Sequence, residues 1–91
     1  MSDGRLFAVA YDIVRDSRRV KVANALKAYG ERTQYSVFEC YLSEKELSEL
    51  TTRMRHLIRA EEDSVRFYQI RPPVGIVGTG RAHEDKDLFV I

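Results

Sequence analysis

Leu6–Ile13 has the sequence LFAVAYDI, a run of apolar and strand-forming residues with one charge, Asp12, next to its carboxyl end. Eight residues suit a strand better than a helix, and the Phe, Val, Tyr and Ile content favours the same structure, so the run predicts a buried central strand. Asp12 is then expected at the edge where the strand leaves the sheet, a common place for polar chemistry. A carboxylate there can hold a hard cation, or it can simply hydrogen-bond its own turn.

The length and composition indicate how many domains the chain forms and which cellular compartment it suits. A chain of 91 residues is expected to fold as one domain, residues 1–91, with a thin core, and 32% charged and 44% hydrophobic residues are typical of a globular protein. Cys40 is the only cysteine, which excludes an intramolecular disulfide and fits a reducing cytoplasm. The sequence has no apolar run of membrane-spanning length and no signal-peptide pattern at its N-terminus, so we expect a cytoplasmic protein without a membrane partner.

The net charge of +1 hides a local concentration of basic residues. Between residues 15 and 32, six basic side chains stand against two acidic ones. The basic residues are Arg15, Arg18, Arg19, Lys21, Lys27 and Arg32. This segment predicts a helix from about Ser17 to Tyr29, with Asp16 or Ser17 as N-cap and Gly30 at its end. The basic residues form either a solvated helix face or a patch for polyanions, since nucleic-acid binding depends on local rather than total charge.

Further segments complete the pattern of strands and helices. Thr33–Leu42 is rich in Tyr, Val and Phe and predicts a strand, and Ser43 with Glu46 forms a capping box that starts a second helix. The apolar residues of this helix recur at helical spacing: Leu47, Leu50, Met54, Leu57 and Ile58. Ser64–Arg71 predicts a third strand and Val74–Val77 a fourth. The glycines around Val74–Val77 do not match a nucleotide-binding loop and are interpreted as turn residues.

We interpret these elements as an α+β fold of the ferredoxin-like βαββαβ type, with two helices on one face of an antiparallel sheet. The other face is expected to expose apolar side chains such as Phe38, Tyr68 and Ile70, a larger patch than a small monomer normally leaves in water. The chain is therefore predicted to form a homodimer through its sheet faces. Leu88–Ile91 predicts an extra C-terminal strand, and residues 87–91 are expected to pair with an edge of the partner subunit.

Four motifs together resemble one known family. They are YDI at residues 11–13 with basic residues shortly after it, YGxRxQxSVFE at residues 29–39, IVGTG at residues 76–80, and the apolar terminal strand. On these motifs the chain resembles the small CRISPR-associated adaptation protein, the Cas-two family, over nearly its whole length. The resemblance implies a homodimer in prokaryotic antiviral immunity that sits between copies of the adaptation integrase while spacer DNA is captured. Several members of the family are also described as metal-dependent endonucleases.

The resemblance implies a catalytic metal site at Asp12. This residue matches the strand-end aspartate that holds the metal in the family. Magnesium suits the position, because it keeps several waters and takes one or two carboxylates together with phosphate oxygens of a substrate. We therefore expect one Mg²⁺ ion, shared by two Asp12 carboxylates across the dimer axis, to activate a water for attack on phosphorus.

The resemblance also implies residues that bind the substrate. The candidates are Tyr11, Arg18, Arg19, Arg32 and Phe38. Some members of the family have a second site arginine where this chain has Lys21, whose ammonium group lacks the planar, two-bond contact that arginine makes with phosphate. Phe38 is expected either to stack on a base or to pack in the dimer interface, as strand aromatics usually do.

Three functions agree with these observations to different degrees. A metal-dependent endonuclease that hydrolyses single-stranded RNA or duplex DNA requires Asp12 and a cation. A non-catalytic DNA-binding scaffold for spacer integration requires the basic helix and the dimer but not the carboxylate. A small-molecule regulatory domain of the same fold requires neither and is supported by fold analogy alone. The sequence does not decide between the first two functions, nor between RNA and DNA.

Overall fold

The computed structural model describes residues 4–71, 74–78 and 88–90. Its main elements follow the order βαββαβ: β1 (Arg5–Asp12), α1 (Asp16–Lys27), β2 (Gly30–Gln34), β3 (Val37–Leu42), α2 (Glu44–Leu57) and β4 (Ser64–Ile70). These four strands form one sheet in the order β2-β3-β1-β4, and each neighbouring pair is antiparallel. The predicted α+β, ferredoxin-like fold is confirmed.

Two predicted strands differ from the observed ones. Thr33–Leu42 was expected to be a single strand, but the chain reverses at Tyr35 and Ser36, so that β2 and β3 form a hairpin. The reversal has no glycine and no residue with a positive φ, so it lacks the strongest signals of a hairpin turn. The hairpin, and not Val74–Val77, supplies the missing strand of the ferredoxin-like sheet.

The predicted fourth strand lies outside the main sheet. It is observed as β5 (Val74–Ile76), which pairs in parallel with β6 (Leu88–Val90) to form a separate two-stranded sheet. Residues 79–87 and 91, which include the ends of the IVGTG motif and of the predicted terminal strand, lie outside the described residues. The expected pairing of residues 87–91 with a partner subunit stays a prediction.

The side chains of β1 point alternately to the two faces of the sheet. Phe7, Val9 and Tyr11 point towards the helices and belong to the buried core, together with Leu26 of α1 and Leu50 of α2. Because side chains alternate along a strand, Ala8, Ala10 and Asp12 lie on the opposite side, which we call the open face. The register adds Arg66, Tyr68 and Ile70 of β4 to this open face.

The position predicted for Phe38 is wrong. It was expected on the exposed face of the sheet, but it pairs with Val9, lies on the helix-facing side and has no solvent exposure. The register of the hairpin decides this, because a shift of one residue would turn every side chain of β3 to the other face. Phe38 therefore packs in the core of the single chain and not in a dimer interface.

The two helices begin differently. α2 begins as predicted: the Ser43 hydroxyl accepts from the Glu46 amide, and the Glu46 carboxylate accepts from the Ser43 amide. α1 begins at Asp16 without a side-chain cap, because its N-cap residue is Arg15. The predicted capping by Asp16 or Ser17 is therefore wrong, and the Asp16 carboxylate instead accepts from Arg19 within the first turn.

Gly30 allows β2 to approach β3 closely. A Cβ atom at this position would lie 2.1 Å from the carbonyl oxygen of Glu39 and 2.7 Å from the sulfur of Cys40. The residue was expected to end the first helix, but that helix ends at Lys27 and Gly30 is the first residue of β2. The close approach holds the strand that carries Arg32.

Among the described residues, no helix is long and apolar enough to cross a membrane.

Candidate functional site

Asp12 lies at the end of β1 on the open face. Its side chain is exposed, and within the described residues it makes no hydrogen bond or ion pair. It faces Ser64 across the sheet, and Arg66 lies one pair further along the same face. Asp12, Ser64, Arg66 and Tyr68 line a cavity of about 290 Å³. The carboxylate is thus accessible and free to bind a cation from solution.

Arg66 is a cation beside Asp12 that the sequence analysis missed. It donates a hydrogen bond of 3.4 Å from Nη1 to the Tyr68 hydroxyl, and this bond, with the added attraction of Asp12, raises the pKa of Arg66. Because side chains alternate along a strand, the sequence could have indicated that Arg66 shares a face of the sheet with Asp12. Only the pairing register shows that the two residues are neighbours.

A second cavity contains the two arginines expected to bind phosphate. Its volume is about 410 Å³, and Arg19 of α1 and Arg32 of β2 both line it, together with Tyr11 and Tyr35. Arg19 is held in place because Nη2 donates to the carbonyl of Ile13 at 2.9 Å and Nη1 donates to Asp16. Asp16 also lines the cavity and offsets part of the charge of Arg19, but the two guanidinium groups leave a net positive site of the kind that binds phosphate.

Arg32 is positioned by an aromatic ring. Its guanidinium carbon lies 5.3 Å from the centroid of Phe38, a distance at which a cation is attracted to the face of a ring. No hydrogen-bond acceptor for Arg32 is found among the described residues. The donors of its guanidinium therefore remain available to a ligand.

A third cavity connects the carboxylate with the arginine cavity. Its volume is about 350 Å³, and it is lined by Asp12, Ile13, Arg19, Tyr35 and others at the end of β1. Asp12 and Tyr11 point to opposite faces of the sheet, but at the end of the strand both residues line this third cavity. The fold thus brings together four of the predicted residues: Tyr11, Asp12, Arg19 and Arg32.

Tyr11 supports the hairpin beside these cavities. It is buried, and its hydroxyl donates to the backbone carbonyl of Tyr35 at 3.4 Å. The Tyr11 amide donates to the carbonyl of Ser36 at 3.0 Å, and its ring lies 6.3 Å from that of Phe38. Tyr11 therefore fixes the turn that carries Tyr35, and its ring is not an exposed stacking surface.

Arg18 is separated from the other predicted residues. Its Nε donates to Asp63 Oδ2 at 2.7 Å, and its Nη2 donates to Glu62 Oε1 at 2.7 Å and Asp63 Oδ1 at 3.2 Å. These carboxylates occupy the guanidinium, so its observed contacts are structural. Lys21 is exposed on α1. The binding of substrate by Arg18 and the phosphate contact of Lys21 both stay predictions.

Asp63 is an important structural residue that the sequence analysis missed. Its side chain is buried and accepts from the backbone amides of Val14 and Arg59, each at 2.9 Å, in addition to Arg18. The hydrogen bond from Arg18 holds the pKa of this carboxyl well below its usual range. The sequence offered only an acidic run at the end of α2, in which nothing distinguished Asp63 from Glu61 and Glu62.

One chain supplies only a single carboxylate at the predicted metal position. Within the described residues, no three His, Cys, Asp or Glu side chains come close enough to hold a metal ion. A Mg²⁺ ion nevertheless fits one exposed carboxylate, because it retains several waters and takes further oxygens from a substrate phosphate. The Ser64 hydroxyl, which faces Asp12, is an additional oxygen on the chain itself.

The sequence model of the family of CRISPR associated protein Cas2 matches residues 5–73, which span both helices and the whole four-stranded sheet. The chain belongs to the Cas2 family. The resemblance inferred from the four motifs is therefore confirmed.

Two Cas2 relatives show how far the similarity extends. The CRISPR-associated endonuclease Cas2 2 of Thermus thermophilus is 49% identical over 96% of this chain and 97% of its own length. The CRISPR-associated endoribonuclease Cas2 3 of Synechocystis is 52% identical over 71% of each chain. The first alignment extends over nearly the whole Cas2 chain, including its C-terminal part.

Solved structures confirm the Cas2 fold. The crystal structure of a hypothetical protein from Thermus thermophilus has a TM-score of 0.83 and 52% sequence identity, and the match covers 89% of this chain and 99% of that one. Streptococcus pyogenes Cas2 has a TM-score of 0.69 and 32% identity over 72% of this chain and 86% of its own. The three cavities lie on strands, helices and turns within the part of the chain that the Cas2 sequence model matches.

Proposed function

We propose that this Cas2 chain is a magnesium-dependent endonuclease that acts as a homodimer in the prokaryotic cytoplasm and hydrolyses phosphodiester bonds of RNA or DNA. The observation that carries the proposal is the position of Asp12. It is an exposed carboxylate that makes no hydrogen bond or ion pair in the described residues, and it shares a cavity with Arg19. The names of the relatives, endonuclease and endoribonuclease, support the same reaction class.

Asp12 and the Ser64 hydroxyl are the groups of this chain that would hold Mg²⁺. When bound, the ion supplies Lewis acidity and lowers the pKa of a coordinated water. A second Asp12 from a partner subunit would give the site the two carboxylates that magnesium readily accepts. In each subunit, Arg66 lies in the same cavity as Asp12 and offsets part of its negative charge. The site therefore favours a cation that binds together with a phosphate.

Arg19 and Arg32 would bind the phosphate that is to be cleaved. Both guanidinium groups are anchored, Arg19 by the Ile13 carbonyl and Arg32 by the Phe38 ring, so little side-chain entropy is lost when the substrate binds. Held beside the negative charge that develops on the phosphate oxygens, fixed cations stabilise the transition state more than mobile ones. Their role is to orient the phosphate towards Asp12 and to neutralise it.

The homodimer would form through the open face. This face carries the small residues Ala8 and Ala10 beside Tyr68, which is 50% exposed, and Ile70. Small side chains allow two sheets to approach closely, and the aromatic rings then lose their contact with water. Such an arrangement would also bring the two Asp12 residues to one interface.

A non-catalytic scaffold for spacer integration, bound to the adaptation integrase, is the second candidate function. The observation that favours it is that Arg19 and Arg32 line their cavity without Asp12. A surface of this kind binds the phosphates of nucleic acid whether or not a metal is present. Cleavage and binding must therefore be measured separately.

A nuclease assay with Asp12 variants tests the proposal. Wild type, Asp12→Ala and Asp12→Asn would be incubated with labelled single-stranded RNA and duplex DNA, with magnesium or with chelator. We expect cleavage by wild type with magnesium alone and by neither variant, because Asn preserves the shape but not the charge of the ligand. Binding in chelator should be nearly the same for all three proteins. An Asp12→Asn protein, free of contaminating nuclease, that cuts at the wild-type rate would overturn the proposal.

A further inference from the structure

We propose that Tyr35 is a stacking platform for an unpaired base of the bound nucleic acid. The inference rests on the proposed binding of nucleic acid and adds a residue that recognises a base. It begins from an exposed aromatic side chain that the core does not explain. Tyr35 lies in the turn between β2 and β3 and is 77% exposed, more than any other large hydrophobic residue in the described part of the chain.

The position of Tyr35 connects it with both chemical parts of the site. It lines the cavity that contains Arg19 and Arg32, and it also lines the cavity that contains Asp12. A base that stacks on the Tyr35 ring would therefore have its own phosphate near the arginines and near the carboxylate. An aromatic ring between cations is the usual arrangement in proteins that bind single strands.

Among the described residues, no other aromatic side chain beside the two cavities that contain Arg19 offers such a surface, because the half-exposed Tyr68 lines a different cavity, on the open face. Phe38, the residue expected to stack, has no exposure and lies beneath the guanidinium of Arg32. Tyr11 is buried, and its hydroxyl is directed to the backbone of the turn. Both rings thus support the site from below, and Tyr35 is the aromatic side chain that a ligand can reach.

The turn itself is held independently of the Tyr35 side chain. The carbonyl of Tyr35 and the carbonyl of Ser36 accept hydrogen bonds from the side chain and the amide of Tyr11. Tyr35→Ala should therefore preserve the fold of the hairpin and remove only the ring. Bases inside a duplex already stack on each other and cannot offer a face to the ring, so the effect should be confined to single strands.

Binding measurements in chelator test the proposal without relying on cleavage. The probes would be single-stranded RNA, single-stranded DNA of the same sequence, and a DNA duplex, all labelled for fluorescence anisotropy. We expect Tyr35→Ala to weaken single-strand binding about tenfold or more, while Tyr35→Phe stays close to wild type and duplex affinity is unchanged. Val20→Ala, which removes a non-aromatic exposed side chain from the same cavity, is the matched control and should have no effect.

A spectroscopic readout separates stacking from simple packing. A single strand that contains 2-aminopurine should lose fluorescence on binding to wild type and to Tyr35→Phe, but not to Tyr35→Leu, which keeps an apolar side chain without a π-face. The comparison of RNA with DNA then identifies which single strand is bound more tightly. Three results would each overturn the proposal. They are an equal loss of affinity for duplex and single strand in Tyr35→Ala, an unchanged affinity of Tyr35→Ala for single strands, and no single-strand binding by wild type. Binding that depends on Tyr35 without any cleavage would overturn the proposed hydrolysis and support the stacking role.

Discussion

Arg18 donates two hydrogen bonds to Asp63, a residue 45 positions further along the chain, through Nε at 2.7 Å and Nη2 at 3.2 Å. The same carboxylate accepts from the amide of Val14, in the loop between β1 and α1. This loop directly follows Asp12 and precedes Arg19, so the buried pair fixes the segment that carries both. Two residues distant in the sequence thus position the end of β1 that carries the candidate metal ligand.

The Arg18–Asp63 pair makes the stability of the protein depend on pH. Folding lowers the pKa of Asp63 below its ordinary value of 3.8, so the ionised pair stabilises the fold fully above that value and less as the pH falls towards the folded pKa. We expect Asp63→Asn to lower the melting temperature by roughly 10 °C at about pH 6, because it removes the charge of a buried carboxylate that accepts from Arg18 and from two backbone amides. The difference from wild type should shrink at about pH 2.5, below the ordinary pKa of the carboxyl, because Asp63 is then protonated in the unfolded chain but not in the folded protein.

Glu62→Gln is the control for this prediction. Glu62 also accepts from Arg18 at 2.7 Å, but its side chain is exposed, and exposed ion pairs contribute little to stability. Thermal unfolding followed by circular dichroism measures both variants. A melting temperature for Asp63→Asn equal to that of Glu62→Gln at neutral pH would show that the buried pair is not the stabilising contact.

The salt dependence of binding should identify the arginines that contact phosphate. We expect Arg19→Ala and Arg32→Ala each to reduce the slope of log affinity against log salt by about one, because each releases one counterion fewer. Fluorescence anisotropy at several salt concentrations measures this slope. Arg53→Ala, which removes an exposed charge from α2, should leave the slope unchanged. Affinity that does not vary with salt would be evidence against phosphate binding by these arginines.

The proposed dimer can be tested on its two expected contacts. Deleting residues 87–91 should weaken association, and Ala10→Arg should do the same by placing a second cation on the open face beside Arg66. Thr52→Arg, which adds a charge to an exposed position of α2, is the control and should not affect association. Light scattering gives the mass of each protein. A full-length wild type that stays monomeric at micromolar concentration is incompatible with the dimer.

Cys40 should be unreactive in the folded protein. Its side chain is fully buried, and burial, with a smaller contribution from Glu39, raises the pKa of the thiol to about 11. Because the thiolate is the reactive form, we expect a thiol reagent at about pH 8 to modify the native protein roughly a hundredfold more slowly than the protein in denaturant. Equal rates in the two states would mean that the β2–β3 edge opens readily.

Several elements could be predicted because their signals are local. The apolar run of β1 ends at Asp12, the capping box starts α2, and Ser64–Ile70 keeps a strand composition between charged and proline residues. Each signal depends on side chains within a few residues of each other, so a single sequence contains it. The same holds for Asp12 as a candidate, since it stands at the end of the first strand, whereas the family resemblance singled out Arg19 from the basic segment.

The remaining features depend on partners that are distant in the sequence. The hairpin register turns Phe38 into the core and leaves Tyr35 in solvent, although both occur in one uniform strand-forming segment. Arg18 and Arg19 are adjacent in the sequence, but only Arg18 binds Asp63, whereas Arg19 lines the cavity that contains Arg32. The local pattern therefore determined both helices, β1 and β4, and the position of the carboxylate at the end of β1. Only the tertiary structure decided which arginine binds Asp63 and which aromatic ring is exposed, because strand register and long-range ion pairs determine the direction of each side chain.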